Sequence, residues 1–220
     1  MSASDSATRS ASAGERSTRR GYRSPLREQR AQQTRDAVLD AASRLFTTRG
    51  WAATGIRDIA REAGVAAETV YAHYSSKAAL LRRVVDIAVV GDEDAVPLAQ
   101  RPEFAALGTG SRDERVAATA RLLTEVHVRT AGFAKVIREA AHTDESMATE
   151  LESTRHRQRT DVARALTLLL GRRPTATELN GITAVVSVEI FLLLTEFSGW
   201  SPGQYQRWIA ETLGLILPSS

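Results

Sequence analysis

The sequence predicts an all-α fold in two parts, a three-helix N-terminal unit followed by a larger helical C-terminal one. Three observations carry that reading. Apolar residues recur at spacings of three and four, as at Val38, Ala41, Ala42, Leu45 and Phe46. No stretch alternates apolar and polar residues as a half-buried strand would. Helix punctuation falls where the periodic runs begin and end: Gly50 and Gly64 close two of them, and Ser201–Pro202 opens the last.

Residues 1–25 are Ser/Ala/Arg-rich, lack an apolar period and read as a disordered basic arm. A first helix runs from Leu26 to Arg49. Three short helices follow, about 56–63, 67–74 and 77–90, started by Thr54 or Gly55 with Asp58 near N3, by no hydroxyl at Ala66, and by Ser75 or Ser76. The segment GDEDAVPLAQRPEFAALGTGS reads as a connector. Helices are then expected over 113–130, 133–142, 144–170, 177–198 and 202–217. The units so defined are the arm, residues 26–75 and residues 76–220.

Composition narrows the function classes. The chain of 220 residues has no cysteine, which excludes disulfides and thiolate metal sites. The longest apolar run, ITAVVSVEIFLLL, is interrupted by Thr183, Ser187 and Glu189 and falls short of the roughly 18–20 residues of a membrane span. The N-terminus has no apolar signal core, so the cytoplasm is the expected location. Net charge is +3, yet residues 1–35 carry eight arginines against Asp5, Glu15 and Glu28. Such an arm suits contact with a polyanion through counterion release, or is a solvated tail. No phosphate-binding glycine loop or nucleophile elbow is present. Glu152 and His156 are spaced i, i+4, as many solvated pairs are, and no metal or cofactor is expected beyond a small-molecule effector.

Residues 56–75 fit a helix-turn-helix. Ile59 and Ala60 face inward, Ala63–Gly64 turn the chain, and Val65 and Val70 fill the space between the helices. Ala67, Glu68, Thr69, Tyr71, Ala72 and His73 then point outward, a small mixed hydrogen-bonding surface of the kind a major-groove reader needs. Tyr74 is expected in the core. Only Lys77 and Lys135 are lysine, and Lys77 falls in the first turn of a helix, where its charge is unfavourable unless an anion is nearby.

The stretch TGIRDIAREAGVAAETVYAHYSSKAALL resembles the DNA-binding signature of the TetR family of transcriptional regulators, with Ala60, Gly64, Val65, Thr69, Tyr71, His73, Lys77 and Leu80 in register. The likeness is specific over roughly residues 30–90, and GWSPGQYQRWIAETL is similar to the last helix junction of many members. It implies that Thr69 and Tyr71 touch backbone and base edges, that His73 and Lys77 clamp phosphates, and that Arg57 reaches phosphate or base. Three positions depart from the pattern: Gly55 and Ala66 replace common hydroxyl residues, and Glu68 stands where a neutral residue is usual. Glu68 can accept from a cytosine amine while repelling phosphate.

Reading two half-sites about 34–36 Å apart needs a symmetric homodimer. Helices 177–198 and 202–217 are the expected interface, with Trp200, Tyr205 and Trp208 adding aromatic area; a core helix within one subunit is the other reading of 177–198. An effector pocket is expected among helices 113–170 and 177–198, with His127, Phe133, Arg138, His142, Glu189 and Phe191 as candidate lining residues. The function these expectations point to is a repressor released from a palindromic double-stranded DNA operator by a small molecule. The alternative is a constitutive DNA-binding protein whose C-terminal domain only dimerises.

Overall fold

A computed structural model describes residues 25–94 and 96–217. The expectations for the arm, residues 1–24, lie outside these. The described residues form helices α1 (Pro25–Arg49), α2 (Ile56–Glu62), α3 (Ala67–His73), α4 (Lys77–Val90), α5 (Pro102–Ala105), α6 (Arg112–Ala140), α7 (Glu145–Leu170), α8 (Ala176–Val185), α9 (Val188–Leu192) and α10 (Pro202–Ile216), with no strand among them.

Local chemistry sets most boundaries. The Ser76 hydroxyl accepts from Ala79 N at 3.0 Å and starts α4. Gly55 precedes α2, and Asp58 at N3 accepts from its backbone N–H at 3.1 Å. Ser201 and Gln204 form a capping box ahead of Pro202. Gly50 and Gly64 take φ of 76° and 69°, which only glycine adopts freely. The connector between α4 and α6 is not plain loop; it holds α5 between two 3₁₀ turns, Leu98–Gln100 and Ala106–Gly108.

Two expectations are corrected. The helices expected at 113–130 and 133–142 are one, α6, of 29 residues and about 43 Å. Gly132 does not break it: a Cβ there would lie 3.1 Å from Thr47 Cγ2, so the glycine admits α1 against α6. Conversely, the helix expected at 177–198 is interrupted at Val186. Ser187 becomes the N-cap of α9, accepting from Ile190 N at 3.4 Å, and the segment ends in a π-helical turn at Leu193–Phe197. The stretch 176–197 passes for a membrane span by length and composition, but it is two helices and a turn.

The apolar residues gather into two cores. The first joins Val38, Leu45 and Phe46 of α1, Ile59, Val70, Leu80, Leu81 and Val84 to Phe133–Ala140 of α6 and Met147 of α7. The second joins Val116 and Ala120 of α6 to Leu166, Leu169, Ile182, Phe191, Tyr205, Ile209 and Leu213. Helix α6 is therefore a spine shared by both cores, with Leu123 and Ala131 of its middle packed against the second.

Candidate nucleic-acid interface and cavity

The α2–α3 pair is held from below. Ile59, Ala60 and Val70 are buried, and the turn is closed by Val65 N donating to Ala60 O at 2.9 Å. Arg57, Glu68, Tyr71, Ala72 and His73 are exposed, Tyr71 by 56%, and Thr69 is half-buried. The side chains of Arg57, Glu68, Thr69, Tyr71 and His73 make no hydrogen bond or ion pair among the described residues. Their polar groups are available to an external partner. Ala67 is corrected: it is half-buried and packs on the first core rather than pointing outward. Tyr74 packs on the same core, and burial raises its hydroxyl pKa.

Lys77, expected to clamp a phosphate, has partners within the chain. Its Nζ donates to the carbonyl of Trp51 at 2.9 Å and lies 3.8 Å from the centroid of the Trp51 ring. Burial lowers its pKa, and Asp144 opposes the shift. Trp51 is the reason for a lysine at this helix start. The indole stacks on Phe46 and donates through Nε1 to Asp144 Oδ2 at 2.8 Å. Asp144 is in turn the N-cap of α7, accepting from Ser146 N and Met147 N. One indole thus ties the start of α4 to the start of α7.

A second tie lies along the same two helices. Glu150 of α7 is 1% exposed and accepts from Arg82 of α4, with Nη2 at 2.6 Å and Nε at 2.8 Å, and from Arg157 Nη2 at 2.9 Å. Burial pushes its carboxyl pKa up, but the two guanidinium groups outweigh that and hold it below the usual value. A third tie fastens the other end of α4. Arg129 of α6 donates to the carbonyls of Ala88 at 2.7 Å and Val89 at 3.0 Å.

Between the two cores lies a cavity of about 540 Å³. Its walls are the middle of α6 (Leu122, Leu123, Val126), α7 from Thr154 to Leu169, α4 from Arg83 to Val90, and the connector. Of the candidate lining residues, His127 and Phe133 face this space. Phe191 is buried against His127, ring centroids 5.4 Å apart, without lining it. Arg138, His142 and Glu189 do not line it; His142 and Glu189 are exposed. The His127 Nδ1 meets Tyr205 Oη at 3.1 Å, and burial brings the imidazole pKa down to about 4, so the ring is neutral. Tyr205, expected at an interface, is fully buried inside the subunit. Sequence reasoning missed the α4 wall. The segment RRVVDIAVV carried the signal, an acid inside an apolar run.

Among the described residues no group of three or more His, Asp or Glu side chains could hold a metal ion.

Residues 38–84 match the family model "Bacterial regulatory proteins, tetR family". The HTH-type transcriptional regulator TtgR of Pseudomonas putida is 41% identical over 59 residues, 27% of this chain and 28% of that protein. The HTH-type transcriptional activator FasR of Mycolicibacterium smegmatis is 43% identical over 82 residues, 36% of this chain and 35% of that one. The matched stretches thus span only about a third or less of these relatives, whose names describe regulation rather than catalysis. A TetR-family transcriptional regulator from Rhodococcus sp. superimposes with a TM-score of 0.65 at 18% identity, covering 85% of this chain and all of that one. NalD, the secondary repressor of the MexAB-OprM multidrug efflux pump in Pseudomonas aeruginosa, does so with a TM-score of 0.52 at 20% identity, covering 84% and 95%. At such identities the likeness is one of fold.

Proposed function

We propose that the chain, whose residues 38–84 match the tetR family model, is a member of that family and a dimeric, ligand-responsive transcriptional regulator, a repressor released from a palindromic operator when a small molecule occupies the cavity. One observation carries the reading. Helix α4 starts four residues after the end of α3 and supplies Arg83, Val85, Asp86, Val89 and Val90 to the cavity wall. Anything that changes the cavity's shape acts on the helix that carries the DNA-reading unit.

The dimer face is argued from unpartnered apolar area. Leu193 and Phe197 of the turn after α9, and Leu215 and Ile216 at the end of α10, are exposed large hydrophobics, with Phe197 and Leu215 at 86% and 87%. Beside them Trp200 and Trp208 meet edge to face at 6.2 Å. Exposed apolar side chains of this size are what a subunit interface leaves on an isolated protomer. Two protomers joined there present two copies of α3, with Arg57, Glu68, Thr69, Tyr71 and His73 toward the grooves. A hundredfold loss of operator affinity on ligand binding requires about 2.7 kcal/mol of differential binding between the two arrangements.

Selection of bound sequences from a random duplex pool tests the proposal. The expected result is a palindrome with half-site centres one helical turn apart. Enrichment of no sequence over background supports instead the non-switching DNA-binding protein.

A further inference from the structure

His127 stands on the α6 wall of the cavity, 4% exposed, with the rings of Phe191 and Tyr205 centred 5.4 and 5.8 Å from its own. Its Nδ1 meets Tyr205 Oη at 3.1 Å, and that contact fixes where the protons lie. Tyr205 is fully buried, and burial raises its pKa, so the phenol keeps its proton. The hydroxyl has no hydrogen-bond partner but His127 among the described residues. Were Nδ1 protonated, the phenolic proton would be left without an acceptor inside the protein, the costlier arrangement. The phenol therefore donates to Nδ1, and the neutral imidazole carries its own proton on Nε2. Nε2 has no partner among the described residues, yet neighbouring atoms do not close it off. The space that His127 borders is the cavity. An N–H donor, set by a buried tyrosine, thus faces that space.

The other polar groups of the lining do not offer the same. Thr119, Thr130 and Thr154 spend their hydroxyl protons on Arg115 O, Val126 O and Glu150 Oε1. Gln158, half-buried on α7, offers a donor and an acceptor together and so does not discriminate. The charged lining residues balance, Arg83, Arg157 and Arg164 against Asp86, Asp94 and Asp161. None of them acts on the imidazole, whose pKa is moved by burial alone. An ion seated beside His127 would lose water without gaining a counter-charge. We propose that the cavity selects uncharged apolar molecules bearing a hydrogen-bond acceptor, a ketone or ester carbonyl, received by the Nε2–H of His127, with Tyr205 as the positioning residue that sets the tautomer. A ligand lacking the acceptor displaces water from that N–H and leaves it unpaired. The volume of about 540 Å³ suits a single small organic molecule. The inference rests on the cavity being the effector site. It adds the class of effector and the residue that reads it.

Calorimetric titration of the full-length protein with four probes built on one diphenyl frame tests this. Benzophenone offers an acceptor, diphenylamine a donor, diphenylmethane neither, and para-benzoylbenzoate the acceptor with a negative charge added. Benzophenone is expected to bind about fivefold more tightly than diphenylmethane. Diphenylamine should bind no tighter than diphenylmethane, and para-benzoylbenzoate more weakly than benzophenone. His127→Leu should erase the preference for benzophenone while leaving diphenylmethane affinity within about threefold, which also verifies that the variant is folded. Long-range proton–nitrogen NMR spectra, with His127 assigned by its absence from that variant, should show Nε2 protonated. Tyr205→Phe should admit the other tautomer alongside it; a tautomer unchanged in that variant removes the positioning role of Tyr205. Benzophenone and diphenylmethane binding equally, diphenylamine binding best, a preference that survives His127→Leu, or a proton on Nδ1 overturns the hydrogen-bond assignment and leaves the cavity reading standing. Tightest binding of para-benzoylbenzoate overturns the uncharged class in the same way. No binding of any probe, by protein that still recognises its operator, overturns the cavity reading and this inference with it. Should His127→Leu not fold, the order of the four probes on the unaltered protein decides alone.

Discussion

Replacing Glu150 with glutamine removes one charge from the tie between α4 and α7 while keeping the shape of the side chain. The carboxylate is 1% exposed and accepts from two guanidinium groups, Arg82 and Arg157, whose side chains are 49% and 40% exposed. A charge-assisted bond to a buried group contributes about 1.5–3 kcal/mol, but the half-exposed arginines regain water when the charge is lost, so the sum must be discounted for screening. Glutamine also retains one acceptor. The expected loss is about 1–2 kcal/mol near neutral pH, or roughly 2–8 °C in Tm for a chain of this length. The sign with pH follows from the depressed pKa of Glu150. Its stabilisation is fully present above the unfolded value of 4.5 and is lost as pH falls through the lower folded value. Thermal unfolding at fixed protomer concentration should therefore show a constant gap between wild type and Glu150→Gln from pH 8 to 5, narrowing below that. A variant as stable as wild type at pH 7, or a gap that widens on acidification, would refute the reasoning.

Phe197→Glu places a charge on a side chain that is 86% exposed in the single subunit, so it should leave helix content unchanged and yield monomers in sedimentation. Retention of the dimer would remove that face from the interface. On the reading helix, Arg57→Ala should weaken binding evenly across sequences and lower the salt slope by about one, whereas Tyr71→Ala should cost about 1–3 kcal/mol and relax preference at one operator position, as read by competition binding. Glu68→Gln should change base preference at one position; unchanged preference at every position would defeat a reading role. His127, held neutral down to about pH 4 by burial, takes up its proton in the unfolded chain near its ordinary value of 6.5. Between those values stability should fall with decreasing pH by up to about 1.4 kcal/mol per unit, and His127→Gln should flatten that slope in a pH series of unfolding curves.

The helix-turn-helix was legible because its determinants are local. Gly64, Val65, Val70, Asp58 and Ser76 act on residues within five positions of themselves, so a linear reading found them. The ties between the two parts were not legible, because they are long-range: Trp51 and Asp144 are 93 residues apart and Arg82 and Glu150 are 68 apart. Glu150 lies in the polar first half of α7 and reads like any solvated acid until α4 is laid across it. The continuity of α6 through residues 131 and 132 was missed for a related reason. A mid-helix glycine that admits a neighbouring helix looks, in one dimension, like a break. Glu189 was chosen as an acid inside apolar sequence, but that apolar sequence is partly an outward face; the same rule applied to Asp86 meets a real cavity wall.

How α4 can respond to an occupant follows from what holds it. Its buried residues Leu80, Leu81, Val84 and Val85 all belong to the first core, whereas α6 and α7 are fixed in both. Under the function proposed, the N-terminal unit would move together with α4, against the first-core packing on α6 and the Trp51–Asp144 and Arg82–Glu150 contacts with α7. The C-terminal end of α4 is pinned, since Arg129 of α6 grips the last carbonyls of α4, where a cation is also favoured by the helix dipole. With that end fixed, displacement at the cavity becomes a swing. Over 14 residues, about 21 Å, a tilt of roughly 5° moves Lys77 by about 2 Å and carries α3 with it. Arg129→Ala removes the pin without touching the DNA face. Operator affinity without ligand should change less than about threefold, while the loss of affinity on ligand binding should shrink about tenfold, because an unpinned α4 slides instead of turning. Measured by fluorescence anisotropy on labelled operator with and without a cavity ligand, full retention of the ligand response would show that the swing does not depend on this end of α4, and the pivot would have to be sought in the Trp51–Asp144 contact instead.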